Sequence, residues 1–225
     1  MLVSRNYNMK PRVKICCISS LEEAQAAVQF GASALGLVGH MPSGPGVIPD
    51  DLIAQIAQQI PPGVSSFLLT SHTKVDQIIQ HQQIVKTNTI QIVDTLTEGS
   101  HEAIRLALPA IKIVQVIHVI NENTIDEALA AAETADALLL DSGNPNLRVK
   151  ELGGTGRVHN WDISRKIVEQ SNKPVFLAGG LNAENVQAAI EAAQPFGIDL
   201  CSGVRTGGKL DLRKLDGFFK AVYNL

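Results

Sequence analysis

The chain has 225 residues, 45% apolar and 18% charged, which is enough apolar material for a sizeable core and too little charge for a disordered polyelectrolyte. Nineteen basic residues stand against 22 acidic ones, a net charge of -3, so no basic field holds nucleic acid or an anionic membrane surface. A small molecule is the default partner.

Three cysteines (Cys16, Cys17 and Cys201), two of them adjacent, are too few and too crowded for a disulfide framework and fit a reducing compartment. No apolar run reaches 18 residues, and the polar start MLVSRNYNMKPR lacks a signal-peptide core, so a cytoplasmic location is expected. Residues 1–12 are expected to form a flexible extension.

From residue 13, short β-rich apolar runs alternate with helical patterns. The strand runs are VKICC (13–17), ALGLVG (34–39), SSFLLT (65–70), TIQIV (89–93), IKIVQVI (111–117), ALLLD (137–141), PVFLAG (174–179) and GIDLC (197–201). Between and after them the pattern predicts helices over 20–30, 50–60, 73–85, 100–108, 122–134, 161–171, 182–193 and 211–223. Ser20 and Glu23 form a capping box at the first helix, and Asn182 is an N-cap for the seventh.

The strand runs are apolar on consecutive positions, which indicates a parallel sheet covered on both faces. Residues 13–225 divide into eight units of about 27 residues, enough for a strand, two loops and a crossover helix. One (β/α)8 barrel over 13–225 is the expected fold, with no linker to mark a second domain. A doubly wound sheet is the alternative, but the first strand ends in Cys-Cys-Ile-Ser-Ser, without a dinucleotide or nucleotide phosphate loop.

In such a barrel the chemistry sits at the carboxyl ends of the strands. Gly179-Gly180 after strand seven and Ser202-Gly203 after strand eight offer unencumbered amides near helix starts, a cradle for a phosphate. A third glycine cluster, Gly153 to Gly156, lies in the long loop after strand six. Cys16 ends strand one and Asp141 ends strand six; a thiolate can take a carbon-bound proton and a carboxylic acid can protonate a leaving oxygen. Each also has an ordinary reading, the cysteine as a small core residue and the aspartate as a turn residue.

Six segments, in order, carry a family resemblance: KICC, ASALGL, DALLLD, GGTG followed by Asn160-Trp161, LAGGLNAENV, and GIDLCSGV. They resemble the phosphoribosylanthranilate isomerase patterns KICG, ADALGF, DALLLD, GGTG-x-x-F-x-W, LAGGL-x-x-ENV and G-x-D-x-SSGVE. The resemblance implies a (β/α)8 enzyme of tryptophan biosynthesis that works without metal or organic cofactor. It implies an Amadori rearrangement with Asp141 as general acid on the furanose oxygen and Cys16 as general base at C2′. The substrate phosphate would rest on Gly179, Gly180, Ser202 and Gly203. The expected partner is this phosphorylated small molecule, and the chain is expected as a monomer or weak homodimer.

The departures from that pattern are local. KSPR becomes Pro42-Ser43-Gly44-Pro45, so Pro45 stands where the family has an arginine that helps hold the anthranilate end. VQLHG becomes Ile90 to Asp94, with Val93 in place of the histidine and Asp94 placed to oppose a carboxylate. Cys17 replaces a glycine and Arg205 a glutamate. Arg205 or Arg157 is a candidate replacement cation, and His40, Gly154 and Arg205 are candidate substrate contacts; His72 and His118 also lie near strand ends. A phosphosugar isomerase with another substrate and a non-catalytic phosphometabolite-binding barrel stay open as alternatives.

Overall fold

A computed structural model describes residues 10–144, 147, 150–153 and 156–223. Eight strands close into a parallel barrel in chain order, each paired with the next and the last with the first. They are β1 (Arg12–Ile15), β2 (Ala34–Val38), β3 (Ser65–Thr70), β4 (Thr89–Ile92), β5 (Lys112–His118), β6 (Ala137–Asp141), β7 (Val175–Leu177) and β8 (Gly197–Leu200). The helices are α1 (Leu21–Gln29), α2 (Asp50–Gln59), α3 (Val75–Val85), α4 (His101–Ala107), α5 (Thr124–Thr134), α6 (Trp161–Gln170), α7 (Val186–Ala193) and α8 (Leu212–Tyr223).

The two-sided apolar strands do what their pattern predicts, since one side faces helices and the other the lumen. Alternation along each strand sorts them. On β1, Val13 and Ile15 join the cluster under the helices, while Cys16 joins the lumen cluster with Val38, Leu69, Val116, Leu139 and Ala178. Low in the lumen the Phe67 and Phe176 rings meet edge to face at 6.0 Å. By the same alternation Lys14, Cys16, Asp141 and Asp199 point inward, with the Cys16 and Asp141 positions at the mouth.

Several local expectations need correction. Residues 1–9 lie outside the described residues, but Pro11 is buried and β1 begins at Arg12, so the barrel wall starts inside the expected extension. In the capping box Ser20 Oγ accepts from the Glu23 amide, as expected. The Glu23 carboxylate instead accepts from the Ser19 amide and from Arg205, because the buried guanidinium competes for it.

Helix α7 begins at Val186, four residues after Asn182. Asn182 does cap, but its side chain accepts from the amides of Glu184 and Asn185 in the turn that precedes the helix. After β8 the chain makes a three-residue 3-10 turn, Ser202–Val204. It then forms an unexpected hairpin, β9 (Arg205–Thr206) and β10 (Lys209–Leu210).

Candidate active site

One cavity opens at the carboxyl end of the barrel, about 710 Å³ with its mouth included, within the range of small-molecule sites. Cys16, Asp141, Asp199, Gly179, Gly180 and Ser202 all line it. Thus the candidate acid, the candidate base and three of the four expected phosphate residues meet around one space.

Asp141 is 8% exposed, and its Oδ1 accepts from the Ser142 amide at 2.7 Å. Burial pushes its pKa above the ordinary carboxylate value; the Ser142 amide and His118 pull the other way, and the nearby Asp199 charge adds to the rise. A carboxyl group whose pKa is raised in this way is better suited to donate a proton. Room for it comes from Gly153, where a Cβ would stand 2.8 Å from Asp141 Oδ2.

Cys16 Sγ owes its space to Gly36 on the neighbouring strand. A Cβ there would lie 2.7 Å from Cys16 Sγ and 3.0 Å from Lys14 Nζ, so sulfur and ammonium border the same small void. Lys14 is wholly buried and pairs with Asp199 Oδ1 at 2.8 Å. Burial alone would depress the Lys14 pKa, but the charges of Asp199 and Cys16 outweigh it and hold Lys14 protonated. A fixed positive charge therefore sits under the thiol.

The turns after β7 and β8 form the stretch of wall between Asp141 and Cys16. Gly179 and Gly180 have φ of +85° and +62°, a backbone that only glycine adopts without strain. A Cβ on Gly180 would also stand 2.7 Å from the carbonyl carbon of Arg157. Among the described residues no acceptor takes the amides of Gly179, Gly180, Ser202 or Gly203. Gly203 does not line the cavity; its bare Cα lets the turn after β8 press onto the Leu181 carbonyl. The helix start invoked beside Asn182 is displaced to Val186, so free amides rather than a helix end carry the anion-binding potential.

The remaining candidates fare differently. Arg205 is not a substrate contact: its guanidinium is buried against Glu23, the Cys17 carbonyl and the Gly208 carbonyl, and it is absent from the cavity wall. His40 is exposed and outside the lining, with its carbonyl accepting from Ser71 Oγ. Gly154 lies outside the described residues, whereas Gly153 and Gly156 beside it line the cavity. Arg157 pairs with Glu151 and does not reach the lining. His72 leans edge-on against His81, and His118 Nε2 lies 3.2 Å from the Val93 carbonyl, so both are held within the wall.

Asp94 does not confront the ligand with a free charge, because Lys150 pairs with it at 2.5 Å. No Lys or Arg among the described residues lines the cavity. Pro45, Met41 and Ser43 form its outer edge instead, and Ser43 Oγ ties that loop to the Lys150 carbonyl at 2.6 Å.

Three participants escaped the sequence reading. Lys14 and Asp199 carried a signal, as lone charges inside apolar strand runs on adjacent strands. Gln91 also lines the cavity, with its side-chain oxygen buried and unpartnered among the described residues.

Comparison with known proteins identifies the family and the fold. The family described as N-(5'phosphoribosyl)anthranilate (PRA) isomerase matches residues 13–221. A relative from Methanosarcina acetivorans, N-(5'-phosphoribosyl)anthranilate isomerase, is 34% identical over 95% of this chain and 94% of its own. A crystal structure of phosphoribosyl anthranilate isomerase with reduced 1-(o-carboxyphenylamino)-1-deoxyribulose 5-phosphate superposes with TM-score 0.76 at 28% identity, over 96% of this chain and all of that one. Mutually generated monomers of the dimeric Thermotoga maritima enzyme superpose with TM-score 0.77 at 27% identity, with the same coverage.

Proposed function

Because this chain belongs to the N-(5′-phosphoribosyl)anthranilate isomerase family, we propose that its reaction, the isomerisation of that substrate in tryptophan biosynthesis, is driven by Asp141 as general acid and Cys16 as general base. Asp141, its pKa raised by burial, gives a proton to the furanose ring oxygen as the C1′–O bond breaks and the nitrogen lone pair forms the Schiff base. The Cys16 thiolate then removes the proton from C2′, and the enolamine tautomerises to 1-(2-carboxyphenylamino)-1-deoxyribulose 5-phosphate. Lys14 keeps a positive charge beneath the sulfur throughout. These two side chains serve the proton transfers that accompany the ring opening and the C2′ deprotonation.

The phosphate is proposed to rest on the amides around Gly179, Gly180 and Ser202, with Gly203 setting their spacing. The anthranilate end then points to the Met41–Pro45 edge. Among the described residues no cation lines that edge, so its carboxylate is met there by solvent.

The observation that carries the reading is the convergence of the buried Asp141 and of Cys16 on one cavity, with amides unpaired among the described residues on the wall between them. We place the enzyme in the cytoplasm, as a monomer or weak homodimer; its three free thiols support a reducing compartment. No helix of the described residues is long and apolar enough to cross a membrane. The test is loss of anthranilate fluorescence with the purified chain, together with rescue of a tryptophan auxotroph lacking this step. Turnover and rescue are expected. Failure of both would overturn the assignment.

A further inference from the structure

The cavity wall holds three thiols, and the proposed reaction uses one. β1 and β8 are adjacent, with Ile15 level with Leu200 and the Cys16 amide donating to the Leu200 carbonyl at 2.8 Å. Cys16 and Cys17 therefore leave β1 beside the point where Cys201 leaves β8, and all three line the same open cavity. Cys17 stands in the left-handed region at φ +61°, which turns its side chain off the strand course. Its thiol lies 3.7 Å from the Pro45 carbonyl, on the same cavity wall as the Cys16 and Cys201 sulfurs.

Cys17, Cys201 and Arg205 stand where the quoted family patterns have glycine, serine and glutamate. Cys17 is far in sequence from the other two departures, yet the three meet at one place. Among the described residues these sulfurs are not disposed to hold a metal, so their shared chemistry is redox.

We propose that Cys17 and Cys201 form a reversible, peroxide-driven disulfide at the mouth of the active site. The Cys201 thiolate attacks a hydroperoxide, breaking its O–O bond to give a sulfenic acid and an alcohol, or water when the oxidant is hydrogen peroxide. The Cys17 thiol then attacks that sulfur; an S–S bond forms, the S–O bond breaks and hydroxide leaves with the thiol proton as water. Two thiols are oxidised and one hydroperoxide is reduced. A thiol reductant reverses the change.

The division of labour follows from the surroundings. Cys201 is partly exposed, and its pKa is lowered by the Cys17 hydrogen bond, with the Arg205 charge adding to the effect against the opposing influence of burial. Cys17 is buried, and its pKa is raised, first by its bond toward Cys16 and then by that toward Cys201 and by burial. The more acidic, more accessible thiol meets the oxidant and the protonated neighbour resolves it. Closure would tie the Cys17 turn, packed on Pro45 and Gly46, to the residue preceding Ser202 and narrow the cavity between them.

The bond is independent of the isomerase assignment, whereas the loss of turnover rests on it. The experiment treats the full, reduced chain with stoichiometric hydrogen peroxide, then reads non-reduced peptides by mass and turnover before and after dithiothreitol. Expected are one cross-linked pair containing Cys17 and Cys201, lighter by two hydrogens, and a turnover loss that the reductant restores. In Cys17→Gly and Cys201→Ser, which install the family residues, the cross-link disappears and the reductant-reversible loss slows at least tenfold. A wild-type chain without the Cys17–Cys201 pair, or variants that keep the same reversible loss, would overturn the proposal. The cross-link seen in a chain without isomerase turnover would uphold the bond and reject the assignment.

Discussion

His159 shows what a single buried side chain contributes here. Its Nε2 bonds Ser164 Oγ at 2.8 Å, its Nδ1 is buried without a partner among the described residues, and burial lowers its pKa to about 4. The unfolded chain takes up this proton near the ordinary value of 6.5, before the folded chain does. Stability from this group is therefore present above that value and is lost as pH falls toward 4, amounting to about 2 kcal/mol between pH 7 and pH 5. Urea unfolding at the two pH values checks this. His159→Gln should lose about 2 kcal/mol less than the unaltered chain over that interval, and equal losses would show that the ring is not held neutral. At this scale Cys16 and Asp141 were legible, because each closes an apolar strand run with a reactive group. Arg205 misled: an arginine near a strand end looks like a ligand, and only the fold reveals Glu23 waiting 182 positions away.

Element boundaries followed the apolar periodicity closely, and the exceptions have physical causes. α7 starts late because Asn182 and Asn185 satisfy a turn with their side chains before helical bonding begins. The β9–β10 hairpin did carry a sequence signal, Gly207-Gly208, both at positive φ. Its flanking strands are two residues each, too short to show alternation. The loop carrying Pro45 was read as a missing arginine. In the fold it also covers Cys17, since Gly46 leaves no room for a side chain against it. The contact between the turns after β7 and β8 yields a prediction. A Cβ at Gly203 would drive into the Leu181 carbonyl, so Gly203→Ala should part the two turns. Such overpacking costs about 1–3 kcal/mol of stability. We expect the inhibition constant of inorganic phosphate, measured by competition with substrate, to rise about tenfold, equivalent to about 1.4 kcal/mol. An unchanged constant would remove these turns from phosphate binding.

For the molecule as a whole, the decisive joint is the seam where β8 returns to β1. Lys14 and Asp199 bridge it inside the barrel, 0% and 9% exposed at their side chains. Removing one partner of a buried ion pair leaves the other charged and desolvated, so Lys14→Met should cost about 3–5 kcal/mol in urea unfolding. The double change Lys14→Met with Asp199→Leu should recover most of that loss; if it does not, the pair is not what makes the seam costly to disturb. Eight repeating units made the barrel legible from the sequence alone. The charge pair was not, because uninterrupted apolar runs conceal which face a residue takes until the sheet closes.

The same closure sets Asp141 and Cys16 over one cavity, and the account depends most on their separate roles. Steady-state kinetics on Cys16→Ser and Asp141→Asn test it directly. Loss of a positioned acid or base predicts a fall in kcat of about 10²–10⁴ for each variant, with KM changed only a few-fold because the phosphate turns are untouched. Either variant retaining more than a tenth of the original kcat would contradict the assignment.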